Sequence, residues 1–162
     1  MKYGLNALYE RRSVRKYKSE QISDGELEQI LKAGLCAPSA MNRQPAIIIA
    51  VQDKDTIAYM SKLNAQVMGS NGDPFYGAPT VLVVLAEADN INAVKDGSLV
   101  LGNLMNAASA LGIGSCWVNR AQEVFASAEG KALLEKCGVQ GDYIGVGNCI
   151  LGYPAETPAA KP

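Results

Sequence analysis

The chain of 162 residues is 48% hydrophobic and 19% charged, with a formal net charge of -1, a composition typical of one ordinary globular domain. The nearly neutral charge excludes a global field that would recruit nucleic acid or an acidic membrane surface. No apolar run approaches the roughly 18 residues of a membrane-spanning helix, and the opening MKYGLNALYERRS lacks the apolar core of a signal peptide. We therefore predict a single cytoplasmic domain over residues 1–162 with no nucleic-acid and no membrane partner.

Histidine is absent from the chain, and the four cysteines are Cys36, Cys116, Cys137 and Cys149. The absence of histidine excludes a histidine base, Ser-His and Cys-His nucleophile pairs and most zinc sites. The cysteines form no C-x-x-C pair, and their spacing is too wide for an iron–sulfur cluster. We expect four reduced, mostly buried thiols and no metal site.

The first part of the chain predicts two helices followed by a strand. Residues 4–12 can form a short amphipathic helix, and the stretch from Ser23 to Glu26 has the pattern of a capping box that opens a second helix. That helix must end before Pro38, because proline disfavours a helical residue ahead of it. The apolar run AIIIAVQ, residues 46–52, then predicts a buried strand.

The middle of the chain continues the alternation of helix and strand. Apolar residues at helical spacing predict a helix over 54–67, a glycine-rich loop follows over 69–79, and PTVLVVLAE predicts a second buried strand. Residues 93–111 predict a helix that is apolar on nearly every face and ends at the C′ glycine Gly112. One domain of this size has little room for a fully enclosed helix, so burial against a second copy of the chain is one reasonable hypothesis.

The last part of the chain predicts two strands and a helix between them. GSCWV is a short strand, residues 122–137 are helical with a break expected at Gly130, and YIGVGNCILGYP is a glycine-rich final strand. The remaining residues, 155–162, read as a loose tail. Strands that alternate with helices in this way indicate an α/β or α+β fold with a mixed sheet.

The segment RRSVRKYK, residues 11–18 and called the arginine segment below, is the first candidate site. In an extended chain Arg11, Ser13 and Arg15 point one way, while Arg12 and Val14 point the other. Two guanidinium groups with a hydroxyl between them suit a phosphate monoester. A solvated basic edge is the alternative, and local sequence by itself favours that alternative.

The segment APSAMNRQPA, residues 37–46 and called the proline loop below, is the second candidate. Two prolines restrict its backbone, and its serine, asparagine and glutamine offer more donors and acceptors than a turn requires. Such a loop could read the edge of a heterocycle. A loop that ends a helix and bonds to itself is the alternative.

The third candidate is the end of GSCWVNR, where Asn119 and Arg120 directly follow a strand. Backbone N–H groups at a strand end are available to a ligand, although an ordinary strand–loop junction would have the same sequence. The glycines at 112–114 and 145–147 do not complete the dinucleotide-binding motif, and the chain has no Walker loop.

Five segments together resemble the nitroreductase family of FMN-dependent oxidoreductases. They are RRSVRKY, APSAMNRQP, FYGAPTVLVV, DGSLVLGNLMNAASALGIGSCWV and ILGYPAE. They cover most of the chain and occur in the family's order. The resemblance implies an α+β fold, a three-layer sandwich with a central mixed β-sheet flanked by helices. It also implies a homodimer whose long central helices pack together and whose flavin sites lie at the subunit interface. The tail 155–162 is then expected to be extended, and its contact with the partner subunit stays open.

The resemblance implies FMN as cofactor, NADH or NADPH as reductant and no catalytic side chain, because FMN carries the chemistry. The arginine segment would hold the phosphate and ribityl groups, the proline loop would reach the partner's flavin ring, and the end of GSCWV would lie near flavin N5 and O4. Asn71 would approach the pyrimidine edge, and Lys161 would join the phosphate. The implied cofactor-binding residues are Arg11, Arg12, Ser13, Arg15, Pro38, Ser39, Ala40, Asn42, Gln44, Asn71, Val118, Asn119, Arg120 and Lys161.

The implied reaction is a two-electron ping-pong transfer to a small-molecule acceptor such as a nitroaromatic, a quinone, an enone or another flavin. The sequence departs from the family in three places: Ala46 replaces a frequent aromatic, residues 86–93 are too few for a helical lid, and the tail is poor in basic residues. The alternatives are therefore a non-catalytic flavin-binding or flavin-handling dimer, and a dimeric phosphate-binding module without flavin.

Overall fold

The computed structural model describes residues 3–161, and this range contains six α-helices and four β-strands. In chain order they are α1 (Tyr3–Glu10), α2 (Asp24–Leu35), β1 (Ala46–Val51), α3 (Lys54–Met68), β2 (Thr80–Glu87), α4 (Ala93–Ala110), β3 (Gly114–Val118), α5 (Ala121–Ala126), α6 (Ala128–Lys136) and β4 (Tyr143–Gly152). A 3₁₀ turn over Ala40–Asn42 lies within the proline loop. Each predicted helix and strand is present, with ends that differ by one or two residues.

The four strands form one sheet in the order β1–β2–β4–β3, and each neighbouring pair is antiparallel. β2 and β4 lie at the centre, and the residues of β2 from Thr80 to Ala86 are all buried. The only parallel pairing in the described range is an isolated bridge between Ser13 and Ser115, on β3. The four strands thus form an antiparallel sheet, and the mixed sheet that the sequence predicted is limited to this one parallel bridge of the arginine segment.

Helices cover both faces of the sheet and create two separate cores. On one face α3, α5 and α6 contribute Met60, Phe125 and Leu134 to a cluster that includes Val83 of β2. On the other face α2 and α4 pack over the alternate residues of the same strands. Period-two alternation explains how one apolar strand supplies both cores. The predicted α+β three-layer sandwich is confirmed.

Local signals at the helix ends are confirmed in detail. Ser23 and Glu26 form a complete capping box at the start of α2. At the end of α4 Gly112 adopts a left-handed φ of 73°. The Gly112 N–H donates to Ser109 O and the Ile113 N–H donates to Ala108 O, which is the Schellman pattern. These bonds satisfy carbonyls that the helix end would otherwise leave unpaired.

Two predictions of burial are wrong. The strand at residues 46–52 is not fully buried: β1 lies at the edge of the sheet, where only Val51 is buried and Ala50 is exposed. Two of the four cysteines, Cys36 and Cys137, are exposed, and all four thiols are free. Both exposed cysteines follow the last residue of a helix, α2 and α6 respectively, where the chain turns at the surface.

The helix predicted over 122–137 breaks at Ser127 and not at Gly130. Ser127 has an extended ψ of 161°, and its Oγ accepts the Gly130 N–H at 3.0 Å, so it caps α6. Gly130 has a different role: a Cβ there would lie 2.0 Å from the Val124 carbonyl oxygen. The glycine therefore permits α6 to pack closely against α5.

Within residues 3–161 no helix combines the length and the apolar character that a membrane span requires. The cytoplasmic location stays a prediction.

The amino-terminal turns of α4 rest on β4 through Gly97, because a Cβ at this position would lie 2.6 Å from Cγ2 of Val146. We expect Gly97→Ala to lower the free energy of unfolding by about 1–3 kcal/mol, the cost of overpacking a filled core. Urea unfolding followed by circular dichroism measures the change. Gly25→Ala in α2 is the control, since nothing lies within 4 Å of its Cβ position and helix propensity there favours alanine by about 0.5–1 kcal/mol. Equal destabilisation by both variants would contradict the close α4–β4 contact.

Candidate functional site

The arginine segment runs along the outer edge of β3. Ser13 forms the parallel bridge with Ser115, and the Val14 N–H donates to the Ser115 carbonyl oxygen at 3.0 Å. Val14 is buried against Gly114, where a Cβ would come within 3.0 Å of it. The segment is therefore anchored to the sheet by its backbone and by one apolar side chain.

The predicted alternation of side chains along this segment agrees with their contacts. The Arg12 guanidinium donates to the carbonyl oxygens of Tyr9 and Arg11, both at 2.8 Å, and its Nε donates to Ala159 O at 3.2 Å. Within residues 3–161 the guanidinium groups of Arg11 and Arg15 and the Ser13 hydroxyl make no hydrogen bond to the protein. Arg12 and Val14 thus serve the fold, whereas the donors of the other three side chains have no partner among the described residues.

The tail of the chain lies along the arginine segment of the same chain. Tyr153 and Ala155 exchange backbone hydrogen bonds with Lys18 and Lys16, at 2.9 and 2.8 Å. A carboxylate oxygen of Glu156 accepts the Arg15 backbone N–H at 2.6 Å. Lys161 is exposed. A pocket of about 310 Å³ lies between tail and segment and is lined by residues that include Arg11, Arg12, Ser115 and Glu156.

Tyr17 and Glu156 are residues that sequence reasoning missed in this region. The Tyr17 hydroxyl donates to the Val14 carbonyl oxygen at 2.5 Å, and Tyr17 forms a bridge with Pro154. Burial raises the pKa of Tyr17 well above its ordinary value, and the nearby Cys116, Cys149 and Glu156 raise it further. The alternation of the arginine segment already places Tyr17 on the side of Arg11, Ser13 and Arg15, which is a signal that could have identified it.

The glycine loop, residues 69–79, is tied to the arginine segment. The carboxylate of Asp73 accepts hydrogen bonds from the Ser61 hydroxyl at 2.6 Å and from the Phe75 and Gly77 N–H groups at 2.9 and 2.6 Å. The Arg15 guanidinium lies 6.0 Å from the centre of the Tyr76 ring, within the range of a cation–π contact. Asn71 is exposed near the start of this loop, in a shallow pocket beside α3.

At the end of β3 the buried strand is followed by two exposed residues. Val118 is buried, whereas Asn119 and Arg120 are exposed. Arg120 has a φ of 78°, in the left-handed region, and pairs with Glu123 at 3.1 Å. This pair is half exposed, so its contribution to stability is small. Beneath the strand end the buried Asn148 side chain lies at 3.5 Å from the Val118 carbonyl oxygen.

The proline loop carries unusual backbone strain. Met41, Asn42 and Gln44 have φ values of 53°, 53° and 50° although none is glycine, and such residues cost of order 1–3 kcal/mol each. The Ser39 hydroxyl accepts the Gln44 N–H at 2.9 Å, and the Gln44 amide donates to the Asn42 side-chain oxygen at 2.9 Å. The loop therefore forms the internal hydrogen bonds expected of a simple helix-ending loop. It also carries the backbone strain that is typical of binding loops.

The predicted site residues fall into two groups. The arginine segment, the glycine loop and the end of β3 meet one core cluster through Tyr17, Phe75 and Val118. The proline loop bonds elsewhere: Asp96 of α4 accepts the Ala40 N–H, and the Pro45 carbonyl oxygen accepts the Glu87 N–H. In the described residues no hydrogen bond joins the proline loop, with its Pro38, Ser39, Ala40, Asn42 and Gln44, to the arginine segment.

A second concave region, of about 470 Å³, lies between α3 and the start of β2 and contains none of the predicted residues. Several of its polar lining side chains are already hydrogen-bonded. Ser61 donates to Asp73 at 2.6 Å, and the Thr80 hydroxyl donates to Gln21 at 2.6 Å and accepts from Gln52 at 3.1 Å. Side chains that satisfy each other in this way are typical of a structural junction.

Comparison with protein families matches the chain to the Nitroreductase family over residues 8–74 and 66–153. A protein of Archaeoglobus fulgidus, provisionally named an NADH dehydrogenase/NAD(P)H nitroreductase, is 35% identical over 158 residues, which are 94% of this chain and 86% of that protein. The FMN reductase [NAD(P)H] of Bacillus subtilis is 25% identical and aligns over 98% of this chain and 68% of its own length.

A solved structure is also closely similar. The nitroreductase of Bacteroides fragilis, crystallised with bound FMN, superposes with a TM-score of 0.88 at 30% sequence identity, over 98% of this chain and 92% of that one.

Tyr17 offers a test of the buried contacts behind the arginine segment. Its pKa in the folded chain lies above the value of 10.0 for a free tyrosine. As the pH rises past 10 the unfolded chain loses this proton first, so wild-type stability should fall by about 1.4 kcal/mol per pH unit for this group. Tyr17→Phe should remove that part of the slope and cost about 0.5–1.5 kcal/mol near pH 8 through the lost hydrogen bond. Urea unfolding between about pH 8 and 11 measures both, with the exposed Tyr59→Phe as control; the same slope in Tyr17→Phe as in wild type would contradict the burial of this phenol.

Proposed function

The chain belongs to the nitroreductase family, and we propose that it passes two electrons by a ping-pong mechanism from NADH or NADPH to a nitroaromatic, quinone, enone or flavin acceptor. Its class is an NAD(P)H-dependent flavin oxidoreductase with FMN as cofactor. Membership of the family, with FMN in the similar Bacteroides fragilis structure and FMN and NAD(P)H in the name of the Bacillus subtilis relative, supports this class.

The donors of the arginine segment fit the phosphate of FMN. Arg11, Ser13 and Arg15 alternate along the extended segment, a spacing that predicts one shared side, and their side chains make no hydrogen bond to the described residues. This is the observation that carries the proposal, since two guanidinium groups and a hydroxyl match the charge and the acceptors of a phosphate monoester. The Arg12 guanidinium donates to Ala159 O in the tail. We therefore assign Arg12 a structural role beside the site and not a contact with FMN. Glu156 accepts the Arg15 backbone N–H, and its negative charge would reduce the positive potential at the phosphate. Lys161 would increase that potential.

FMN, when bound, supplies two-electron redox chemistry, and the protein needs only to hold and orient it. The backbone of Val118, Asn119 and Arg120 would orient the ring at the end of β3, where the chain turns through a left-handed residue. Asn71 would orient the pyrimidine edge from the glycine loop. The proposed reaction requires no side chain to transfer a proton, and this agrees with a chain that has no histidine.

The second half of the site would come from another copy of the chain. The proline loop bonds to α4 and β2, apart from the arginine segment of its own chain. Large apolar side chains are exposed on α1, on α4 and in the loop: Leu8 and Leu99 are 50% and 48% exposed, and Met41 is 86% exposed. A homodimer that buries these helices would bring each proline loop to the partner's flavin.

Two features keep a non-catalytic flavin-binding dimer as the second candidate. Only residues 88–92 connect β2 to α4, so no helical lid lies there. Ala46 begins β1 where the resemblance led us to expect an aromatic. These features favour an open flavin face, which suits large acceptors as well as a protein that only stores flavin.

Titration with FMN and turnover separate these functions. We expect about one FMN per chain, and oxidation of NADH or NADPH by an added quinone. Arg11→Ala should raise the FMN dissociation constant by about 10- to 100-fold, because charge-assisted hydrogen bonds to phosphate are lost. Lys131→Ala, at an exposed position on α6, should change nothing.

Bound FMN without turnover would favour the flavin-handling alternative. No FMN binding near micromolar concentration would contradict the flavin proposal and leave the phosphate-binding module.

The dimer has its own test. Leu99→Asp should produce monomers at concentrations where the wild-type chain is a dimer, because it places a charge in the proposed interface, and FMN should be lost together with the dimer. Val67→Asp is the matched control, since Val67 is 41% exposed on α3, away from α1 and α4. Sedimentation velocity with absorbance at flavin wavelengths reads both quantities. A wild-type monomer with tightly bound FMN would rule out the two-subunit site.

A further inference from the structure

Asp96 is a buried acid whose role the family resemblance did not supply. It lies in the first turns of α4, is 5% exposed, and accepts the Ala40 backbone N–H through Oδ1 at 3.1 Å. Its other oxygen, Oδ2, is buried and has no hydrogen-bond partner among the described residues. A buried carboxylate with one unpaired oxygen is costly, so the contact that it does make requires a reason.

The surroundings of Asp96 hold it in one place. Its backbone N–H donates to Asn92 O at 2.8 Å, which fixes it in the first turns of α4. A helix amino terminus stabilises a negative charge and offsets part of the cost of burial. The next residue, Gly97, rests directly on Val146 of β4. The carboxylate is therefore attached, through the helix, to the centre of the sheet.

The contact with Ala40 lies where the proline loop needs support. The Ser39–Gln44 and Gln44–Asn42 bonds are internal to the loop, so they hold its shape but do not attach it to the domain. At its end the loop is attached through Pro45, whose carbonyl oxygen accepts the Glu87 N–H at 3.1 Å. The Asp96–Ala40 bond attaches the middle of the loop, next to Met41, the first of its left-handed residues. Without this bond the strained turn could relax away from α4.

We propose that Asp96 is a positioning residue for the flavin site: its carboxylate holds the Ala40 N–H and so sets where the proline loop meets the partner's flavin. This inference rests on the proposed function, because it takes the proline loop as a flavin contact. Asp96 itself does not touch the cofactor. Its effect is transmitted through one backbone hydrogen bond. A side chain of the same length that carries an acceptor oxygen should therefore replace it.

Two variants and one control test this role in the FMN-loaded protein. Asp96→Ala removes the acceptor, whereas Asp96→Asn keeps an oxygen at the position of Oδ1. We expect Asp96→Ala to raise the FMN dissociation constant about tenfold and to change the visible circular dichroism of the bound flavin. Asp96→Asn should stay within about threefold of wild type with an unchanged flavin spectrum. Asp55→Asn, an exposed acid in the first turn of α3, is the matched control and should change neither quantity.

Amide hydrogen exchange at Ala40, measured by NMR, is the second readout and does not depend on flavin. The Ala40 N–H should exchange slowly in wild type and in Asp96→Asn, and faster by at least tenfold in Asp96→Ala. Wild type and Asp96→Asn keep the test valid even if Asp96→Ala does not fold, because a fast-exchanging Ala40 in the wild-type protein would by itself overturn the proposal.

The remaining outcomes are also decisive. An unchanged flavin spectrum and affinity in folded Asp96→Ala would overturn the positioning role while leaving the flavin enzyme intact. Asp96→Asn as impaired as Asp96→Ala would show that the charge of Asp96, and not its hydrogen bond to Ala40, matters, and would overturn positioning through that bond. Failure of the wild-type chain to bind FMN is a failure of the proposed function instead, and is recognised in the first titration.

Discussion

The pairing of β2 with β4 at the centre of the sheet is the constraint on which the candidate site depends. Both strands are buried on their two faces, so each must be covered by helices on either side. β3 can pair only with the free side of β4, and the arginine segment can add only to the outer edge of β3. α4 packs on a face of β4 through Gly97, and its Asp96 accepts the Ala40 N–H of the proline loop. Both halves of the predicted site are thus attached to one rigid pair of strands.

Backbone strain in the described residues is concentrated in the segments proposed to bind a ligand. Five non-glycine residues of the described range have positive φ, and all five lie in candidate segments: three in the proline loop, Tyr76 in the glycine loop and Arg120 after β3. Such conformations persist only where the surroundings over-determine them. In this protein the surroundings are polar contacts made by few side chains, chiefly Ser39, Asp73 and Asp96. The hydrophobic sheet stabilises the fold. The polar contacts hold the loops in strained conformations that the chain would not adopt on its own, and this strain lowers the net stability.

The chemistry of the side chains is consistent with a protein that binds and orients a redox cofactor. Of the described groups with a clearly raised pKa, Tyr17 and Cys149 owe the rise mainly to burial, which raises the pKa of Cys149 to about 12. A neutral buried thiol and phenol serve packing and hydrogen bonding, since neither provides an anion at neutral pH. The arginine segment carries guanidinium and hydroxyl donors that have no partner among the described residues. Their arrangement favours phosphate binding over acid–base catalysis.

The sequence by itself determined the features that depend on neighbours within a few residues. The capping box at Ser23, the helix end at Gly112 and the alternation of Arg11, Ser13 and Arg15 with Arg12 and Val14 are of this kind, because turns and extended strands have fixed local geometry. Five ordered motifs also identified the family and hence the fold. Tertiary structure decided the exposure of β1, because a strand's position in the sheet depends on which partners remain for it. It also decided the contacts of Asp96 with Ala40 and of Arg15 with Tyr76, which join residues 56 and 61 positions apart. Contacts of that range leave no periodic pattern in the chain, and only the packed sheet brings their partners together.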